Sequence, residues 1–232
     1  MIRREGAASG PGAEVDQQEH KRKSAQAALE RVAGHEVIGV GSGSTVRCFI
    51  ECLATRKGWL EGAVAASLES ERALREHGIP VLDPNSAGPL PVYVDGADEA
   101  TRHRCLIKGG GGALTREKVL ASVSERFICI VDDTKLVEVL GRFPLPVEVL
   151  PMARSAVARA LTAMGGTPVW RRNCVTDNGN HILDARGLSL SDPRALESEL
   201  DRIPGVVGNG IFARRSADLL LVAAPEGVRE FS

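Results

Sequence analysis

Pro91-Val92-Tyr93-Val94-Asp95-Gly96-Ala97-Asp98-Glu99 runs from an apolar strand signal straight into carboxylates. A few residues later Ile107-Lys108-Gly109-Gly110-Gly111-Gly112-Ala113-Leu114-Thr115-Arg116-Glu117-Lys118 adds a lysine, a glycine run and an acid–base pair. The apolar run is short and uninterrupted, as in a strand buried on both faces, so Asp95 falls at the end of a strand. Open α/β sheets place their ligand sites at the carboxyl ends of parallel strands. Residues 113–123 read as a helix, which makes the glycine run the approach to a helix N-terminus. Amides there lack partners and point at whatever negative charge stands before them. The stretch therefore predicts a site for a developing anion.

On either side the same alternation repeats. Upstream, Val37-Ile38-Gly39-Val40 is a strand, Gly41-Ser42-Gly43-Ser44-Thr45 a turn, and Val46, Phe49, Ile50 and Leu53 the buried stripe of a helix. A strand, a Gly/Ser/Thr turn and a helix form an arrangement that binds phosphate through amides and hydroxyls. The turn completes neither a Walker A nor a GxGxxG pattern. Ordinary turn and N-cap chemistry explains the same residues, and the pattern alone does not choose. A helix follows near residues 68–77, then strands at 79–82 and 91–94. Phe127-Ile128-Cys129-Ile130-Val131 is another strand, ending in Asp132-Asp133-Thr134-Lys135. Repeated β/α alternation with apolar strands predicts a Rossmann-like, doubly wound, mainly parallel sheet. Three polar clusters, 42–45, 95–98 and 132–135, then share one sheet edge.

Before this core, residues 1–14 are rich in Gly, Ala and Pro and are expected to be a disordered extension. A helix is expected from Asp16, with Ala25, Ala28, Leu29, Val32 and Ala33 at helical spacing. Lys21, Arg22 and Lys23 lie in its first half, where a solvated basic face is the plain explanation.

After Gly141 the pattern changes. Phe143-Pro144-Leu145-Pro146 is expected to be a rigid connector. A strand (147–150), a helix carrying Val157, Leu161 and Met164, and a strand near 169–172 follow. The turn Asp177-Asn178-Gly179-Asn180 leads to a strand at 181–184. A helix capped by Ser191-Asp192-Pro193 and a last strand from Ile203-Pro204-Gly205-Val206-Val207 complete a β-α-β-β-α-β order. That order is the ferredoxin-like pattern. It predicts a small α+β domain at 145–208, with 15–144 and 209–232 forming the main α/β domain.

Composition narrows the function. With 29 Lys and Arg against 30 Asp and Glu, the formal net charge is −1, and aromatics are 3% of the 232 residues. Nucleic-acid binders carry a basic excess, often with stacking platforms, so no nucleic-acid partner is expected. The longest apolar runs fall far short of a membrane span and no signal-peptide pattern opens the chain. The five cysteines (48, 52, 105, 129, 174) form no CxxC pair, the usage of a reducing cytosol, and a cytoplasmic location is expected. Cys48 and Cys52, one helical turn apart, suit small buried residues better than a metal site. The histidines (20, 35, 77, 103, 181) lack metal-ligand spacing, and no metal site is expected.

The chain resembles the type A ribose-5-phosphate isomerases. The matching motifs are 41–45, 95–99, 107–118, 143–149, Thr176-Asp177-Asn178-Gly179-Asn180 and 203–207. They follow the family's order from about Lys21 to Val228. The resemblance implies interconversion of ribose 5-phosphate and ribulose 5-phosphate in the pentose phosphate pathway, with no metal or organic cofactor, by a soluble enzyme, commonly a homodimer. It implies Glu117 as the general base that shuttles the carbon-bound proton through an enediolate, and Lys108 with the amides of Gly109, Gly110, Gly111 and Gly112 as the oxyanion site. Asp95 is implied in ring opening, and Asp98 in orienting the hydroxyls and Lys108. Ser42, Ser44, Thr45, Lys21 and Lys135 are implied at the phosphate, with Gly43, Gly96 and Ala97 completing the substrate contacts. Glu99 receives no role. Two alternatives are a sugar-phosphate sensor that has lost catalysis and a related phosphosugar isomerase–deaminase or acyl transferase. A sensor of that kind usually carries a DNA-reading helix-turn-helix, for which the 14-residue extension is too short, and the deaminase or transferase is expected to have another acid motif in place of Asp95–Asp98.

Overall fold

The computed structural model describes residues 11–232. In chain order its elements begin with α1 (Pro11–Val32), β1 (Val37–Val40), α2 (Ser44–Ala54), β2 (Gly62–Ala65), α3 (Leu68–Glu76) and β3 (Leu90–Asp95). Two short strands, β4 (Glu99–Ala100) and β5 (Leu106–Ile107), precede α4 (Leu114–Val123) and β6 (Ser124–Asp132). Then come β7 (Leu145–Val149), α5 (Arg154–Ala163), β8 (Thr167–Trp170), β9 (His181–Arg186), α6 (Pro193–Leu200) and β10 (Val206–Asn209). The chain closes with β11 (Ile211–Phe212), β12 (Leu219–Ala224) and β13 (Gly227–Phe231).

The main sheet has six strands in the order β13-β12-β6-β3-β1-β2, parallel throughout except for the β12–β13 pair. Successive strand residues point to opposite faces, and both faces here are apolar. Val92, Val94, Ile128, Ile130, Leu219 and Leu221 pack beneath α1, α2 and α3. Tyr93, Phe127, Cys129, Val131, Leu220 and Val222 face the other way, toward Leu120 and Ala121 of α4 and Phe212. Helices covering both faces explain why these strands read as continuous apolar runs rather than alternating ones. The fold is the expected doubly wound α/β architecture.

A second sheet, β10-β7-β9-β8, is antiparallel throughout. With α5 and α6 its order is the ferredoxin-like one. Val147, Val149, Val157, Leu161, Leu183 and Leu200 fill its core. A three-stranded ribbon, β11-β5-β4, joins the two sheets.

Buried carboxylates tie these parts together. Glu148 of β7 has no exposed surface and accepts from Thr115 Oγ1 of α4, Thr176 Oγ1 (2.8 Å), Asn178 Nδ2 (3.1 Å) and Asn180 Nδ2 (2.9 Å). The Thr176–Asn180 motif is thereby a strap between the small sheet and α4. Glu99 accepts from the amides of Gly141 (2.7 Å) and Phe143 (2.5 Å), which gives this residue a structural task.

Several expectations change. The first helix begins at Pro11, so residues 11–14 are helical rather than part of a disordered extension, and its start is not at Asp16. Proline suits a first helical turn because its missing N–H has no intrahelical role there. Residues 1–10 lie outside the described residues. The strand expected at 79–82 reduces to one bridge, Val81 to Ala63. Pro80 has no N–H for a ladder, and a turn at Asp83 follows at once. Leu145 and Pro146 belong to β7 rather than to a connector. The polar edge strand β13 and the two-residue strands carry too little pattern to be seen.

Glu148→Ala should lower the unfolding free energy by about 3 kcal/mol or more, because several buried donors lose a shared acceptor at ~1–3 kcal/mol each. Urea denaturation reads this; a loss below about 1 kcal/mol would mean that the strap finds other acceptors.

Candidate active site

At the carboxyl ends of β1, β3 and β6 lies a cavity of about 130 Å³. The turn after β1 contributes Ser42, Gly43, Ser44 and Thr45; the turn after β3 contributes Gly96, Ala97 and Asp98. Lys108, Gly109, Gly110 and Gly111 form another wall with Glu117 of α4, and Lys21 of α1 and Lys135 complete it. Residues far apart in the chain converge because parallel strands end at one edge.

Lys108 stands at the centre. Its side chain is 3% exposed, with Nζ 2.7 Å from Asp95 Oδ2, 3.3 Å from Glu117 Oε2, and 2.6 Å from the carbonyl of Gly96. Burial alone would depress this ammonium, but the carboxylates of Asp95 and Glu117 outweigh it and hold its pKa above the usual lysine value. Lys108 N donates to Gly210 O (2.9 Å), so the bend between β10 and β11 fixes the backbone of Lys108.

Glu117 is equally enclosed, on the first turn of α4. Burial, then the nearby Asp95 charge, raises its pKa to about 7, against the opposing pull of Lys108 and Ser42. One oxygen, Oε1, accepts from Ser42 Oγ; the other, Oε2, accepts no hydrogen bond although Lys108 is beside it. With Asp95, Glu117 and Lys108 all ionised the buried group carries one excess negative charge, and a proton on Glu117 relieves it.

Asp95 does not line the cavity. It has no exposed surface: Oδ1 accepts from the amides of Ser42 (3.0 Å) and Gly96 (2.7 Å), while Oδ2 accepts from Tyr93 and pairs with Lys108. Space behind it is closed as well, since a Cβ on Gly41 would stand 1.9 Å from the Asp95 carboxyl carbon. Asp98 is on the wall, with Oδ2 accepting from Gly110 N (2.7 Å). A Cβ at Gly110 would approach Asp98 Oδ1 to 2.5 Å, so a side chain there would displace the Asp98 carboxylate.

Ser44, Thr45, Gly43, Gly96, Ala97, Lys21 and Lys135 all line this cavity. Gly43 precedes α2 without a side-chain cap, so the first amides of that helix stay available at the cavity. Ser42 differs from expectation: its hydroxyl donates to Glu117. Gly112 also differs. It does not line this cavity, and its amide donates to Gly109 O (3.0 Å), so it is no oxyanion donor here. Tyr93, whose hydroxyl donates to Asp95, is a further residue of the site that none of the expected motifs assigns. The chain's single tyrosine, two residues before Asp95 and hence on the same strand face, was the available signal.

Fold and site together are those of an α/β acid–base enzyme that works on a small anionic substrate. Residues 62–227 match the family described as ribose 5-phosphate isomerase A (phosphoriboisomerase A). A ribose 5 phosphate isomerase A from Neisseria gonorrhoeae superposes with a TM-score of 0.91 at 46% identity, over 93% of this chain and 96% of that one. The enzyme of the same description from Methanocaldococcus jannaschii gives 0.87 at 38% identity, over 92% and 98%. A D-ribose-5-phosphate isomerase solved in complex with phospho-erythronic acid also gives 0.87 at 38%, over 92% and 97%. The chain belongs to the ribose 5-phosphate isomerase A family.

The Glu117 shift sets the sign of a pH effect. Its folded pKa lies above the ordinary glutamate value of about 4.5, so the native state holds the extra proton. That stabilisation is full below about pH 4.5 and is lost as pH rises through about 7. Relative to Glu117→Gln, the wild type should lose about 3 kcal/mol of unfolding free energy across that window. A pH series of denaturation midpoints for both proteins checks it; parallel curves would contradict the assignment.

Proposed function

We propose that the chain interconverts D-ribose 5-phosphate and D-ribulose 5-phosphate, an intramolecular aldose–ketose isomerisation of the pentose phosphate pathway. The observation that carries this reading is Glu117, a buried carboxylate near neutrality with one oxygen held by Ser42 and the other free of hydrogen bonds beside Lys108. A general base works best when its pKa lies near the working pH. Family membership supplies the substrate.

In this reading the phosphate sits against the first amides of α2, the hydroxyls of Ser44 and Thr45, and the ammonium groups of Lys21 and Lys135. Ring opening falls to Asp98 rather than to Asp95, because Asp98 is the aspartate on the cavity wall. Glu117 then removes the proton from C2 of the open aldose, the electrons move onto the C1 oxygen, and an enediolate forms. Lys108 lies beside that charge, and in a water-poor site such a fixed cation has its largest effect. Return of the same proton to C1, with transfer of a hydroxyl proton between the oxygens, gives the ketose. Asp95 acts through Lys108, holding its position and charge. The further parts of the reading are a homodimer in the cytoplasm, with residues 145–208 a small domain that carries the strap over α4.

Glu117→Gln should lower kcat by about 10²–10⁴-fold while leaving the KM nearly unchanged; near-normal turnover would sink the assignment. In the wild type kcat/KM should rise with pH and level off above about 7, since only the carboxylate accepts the proton. Lys21→Ala and Lys135→Ala should raise KM about tenfold, the scale of one charged hydrogen bond lost, with smaller effects on kcat. Unchanged KM in both would contradict the phosphate role. A coupled assay for ribulose 5-phosphate with EDTA present should show full activity, and a loss reversed by added metal would overturn the cofactor-free reading.

A further inference from the structure

Arg171 follows β8 and belongs to no motif identified in the sequence, yet its side chain reaches the glycine run. Its Nη1 donates to the carbonyls of Gly109 (3.1 Å) and Gly110 (2.9 Å). The other edge of the guanidinium forks onto Asp184 of β9, with Nε to Oδ2 at 2.8 Å and Nη2 to Oδ1 at 2.5 Å. The backbone amide of Arg171 also donates to Ile182 O (2.9 Å), so both its main chain and its side chain are fixed to one strand. Both members of the pair are about four-fifths buried, with side-chain exposures of 20% and 21%.

A peptide unit is planar and trans, so its N–H points opposite to its C=O. Holding the Gly109 carbonyl toward Arg171 turns the Gly110 amide away from it, and that amide is found on Asp98 Oδ2 at 2.7 Å. Holding the Gly110 carbonyl the same way turns the Gly111 amide toward the opposite side. Gly111 lines the cavity, and its amide donates to no acceptor among the described residues. Glycines have no side chain to hold such orientations by packing, and a run of them has the most conformational freedom to lose. A guanidinium on their carbonyls supplies the missing constraint. It also polarises each peptide, which strengthens the N–H as a donor. Asp184 cancels the charge of Arg171, leaving Lys108 as the cation that faces the reacting atoms.

We propose that Arg171, oriented by Asp184, is a positioning residue that aims the Gly110 amide at Asp98 and the Gly111 amide at the anion formed during isomerisation. The small sheet thereby contributes to catalysis without touching substrate. This inference rests on the isomerase reading.

The test compares wild type with Arg171→Ala, Arg171→Lys and Asp184→Asn, each checked for an intact thermal transition. In Arg171→Ala kcat falls about 10- to 100-fold, the scale of a misplaced donor, while KM for ribose 5-phosphate moves less than about threefold. Affinity for phospho-erythronic acid, whose carboxylate carries charge at the reacting end, falls with kcat, whereas inhibition by inorganic phosphate is unchanged. Arg171→Lys, a point charge without the fork, recovers part of the loss, and Asp184→Asn shows a smaller loss of the same kind. A folded Arg171→Ala with kcat within about twofold of wild type overturns the inference. So does an equal loss of phosphate and phospho-erythronate affinity, the mark of a merely structural role. If Arg171→Ala does not fold, wild-type kcat in both remaining variants overturns it. An inactive wild type, by contrast, refutes the isomerase reading itself.

Discussion

Lys108 holds one ammonium between two buried carboxylates, and the surrounding structure is arranged to make that possible. Removing three ionised groups from water is costly unless they pair and their remaining valences are filled. Asp95 meets that condition with two backbone amides and the Tyr93 hydroxyl as well as Lys108. Glu117 does not meet it fully, since one of its oxygens accepts no hydrogen bond. The shortfall appears as a carboxyl group that titrates near neutrality rather than as an acid in its usual range. A well-satisfied partner and a poorly satisfied one, sharing one cation, give two carboxylates different tasks. Environment rather than residue type separates them.

This arrangement needs rigid support on every side. The main sheet supplies β3 and the tight approach at Gly41; the bend between β10 and β11 holds the backbone of Lys108 through Gly210. The small sheet reaches the site twice, through Glu148 on Thr115 near the start of α4 and through Arg171 on the glycine carbonyls. Supports of that kind keep reacting groups within the tolerance that catalysis requires. They also explain why the motif Thr176–Asn180, remote from any acid–base group in the sequence, is part of the assembly.

Much of this was legible in the residues themselves. Apolar runs such as Phe127–Val131 announce a strand buried on both faces, and their alternation with helical stripes announces a parallel sheet. Since parallel strands share one carboxyl end, the three polar clusters had to meet. The strand expected at 79–82 was not legible, because a single bridge to an edge strand leaves the same pattern as a full ladder. The start of α1 at Pro11 was hidden by composition, as Gly, Ala and Pro suit a helix end as well as a loose tail.

By itself the sequence determined the fold class, the sheet edge that carries chemistry, and the set of residues gathered there, because strand period and chain order are local properties. Which aspartate faces the cavity was decided only in three dimensions. Asp95 and Asp98 lie within one short motif, yet one is walled in by Tyr93, Gly41 and Lys108 while the other meets solvent. The same holds for Ser42, drawn to Glu117, for Gly112, whose amide closes a turn, and for Arg171, brought to the glycine run from across the chain. Hydrogen-bond partners and burial are set by the packing of distant segments, and no local spacing encodes them.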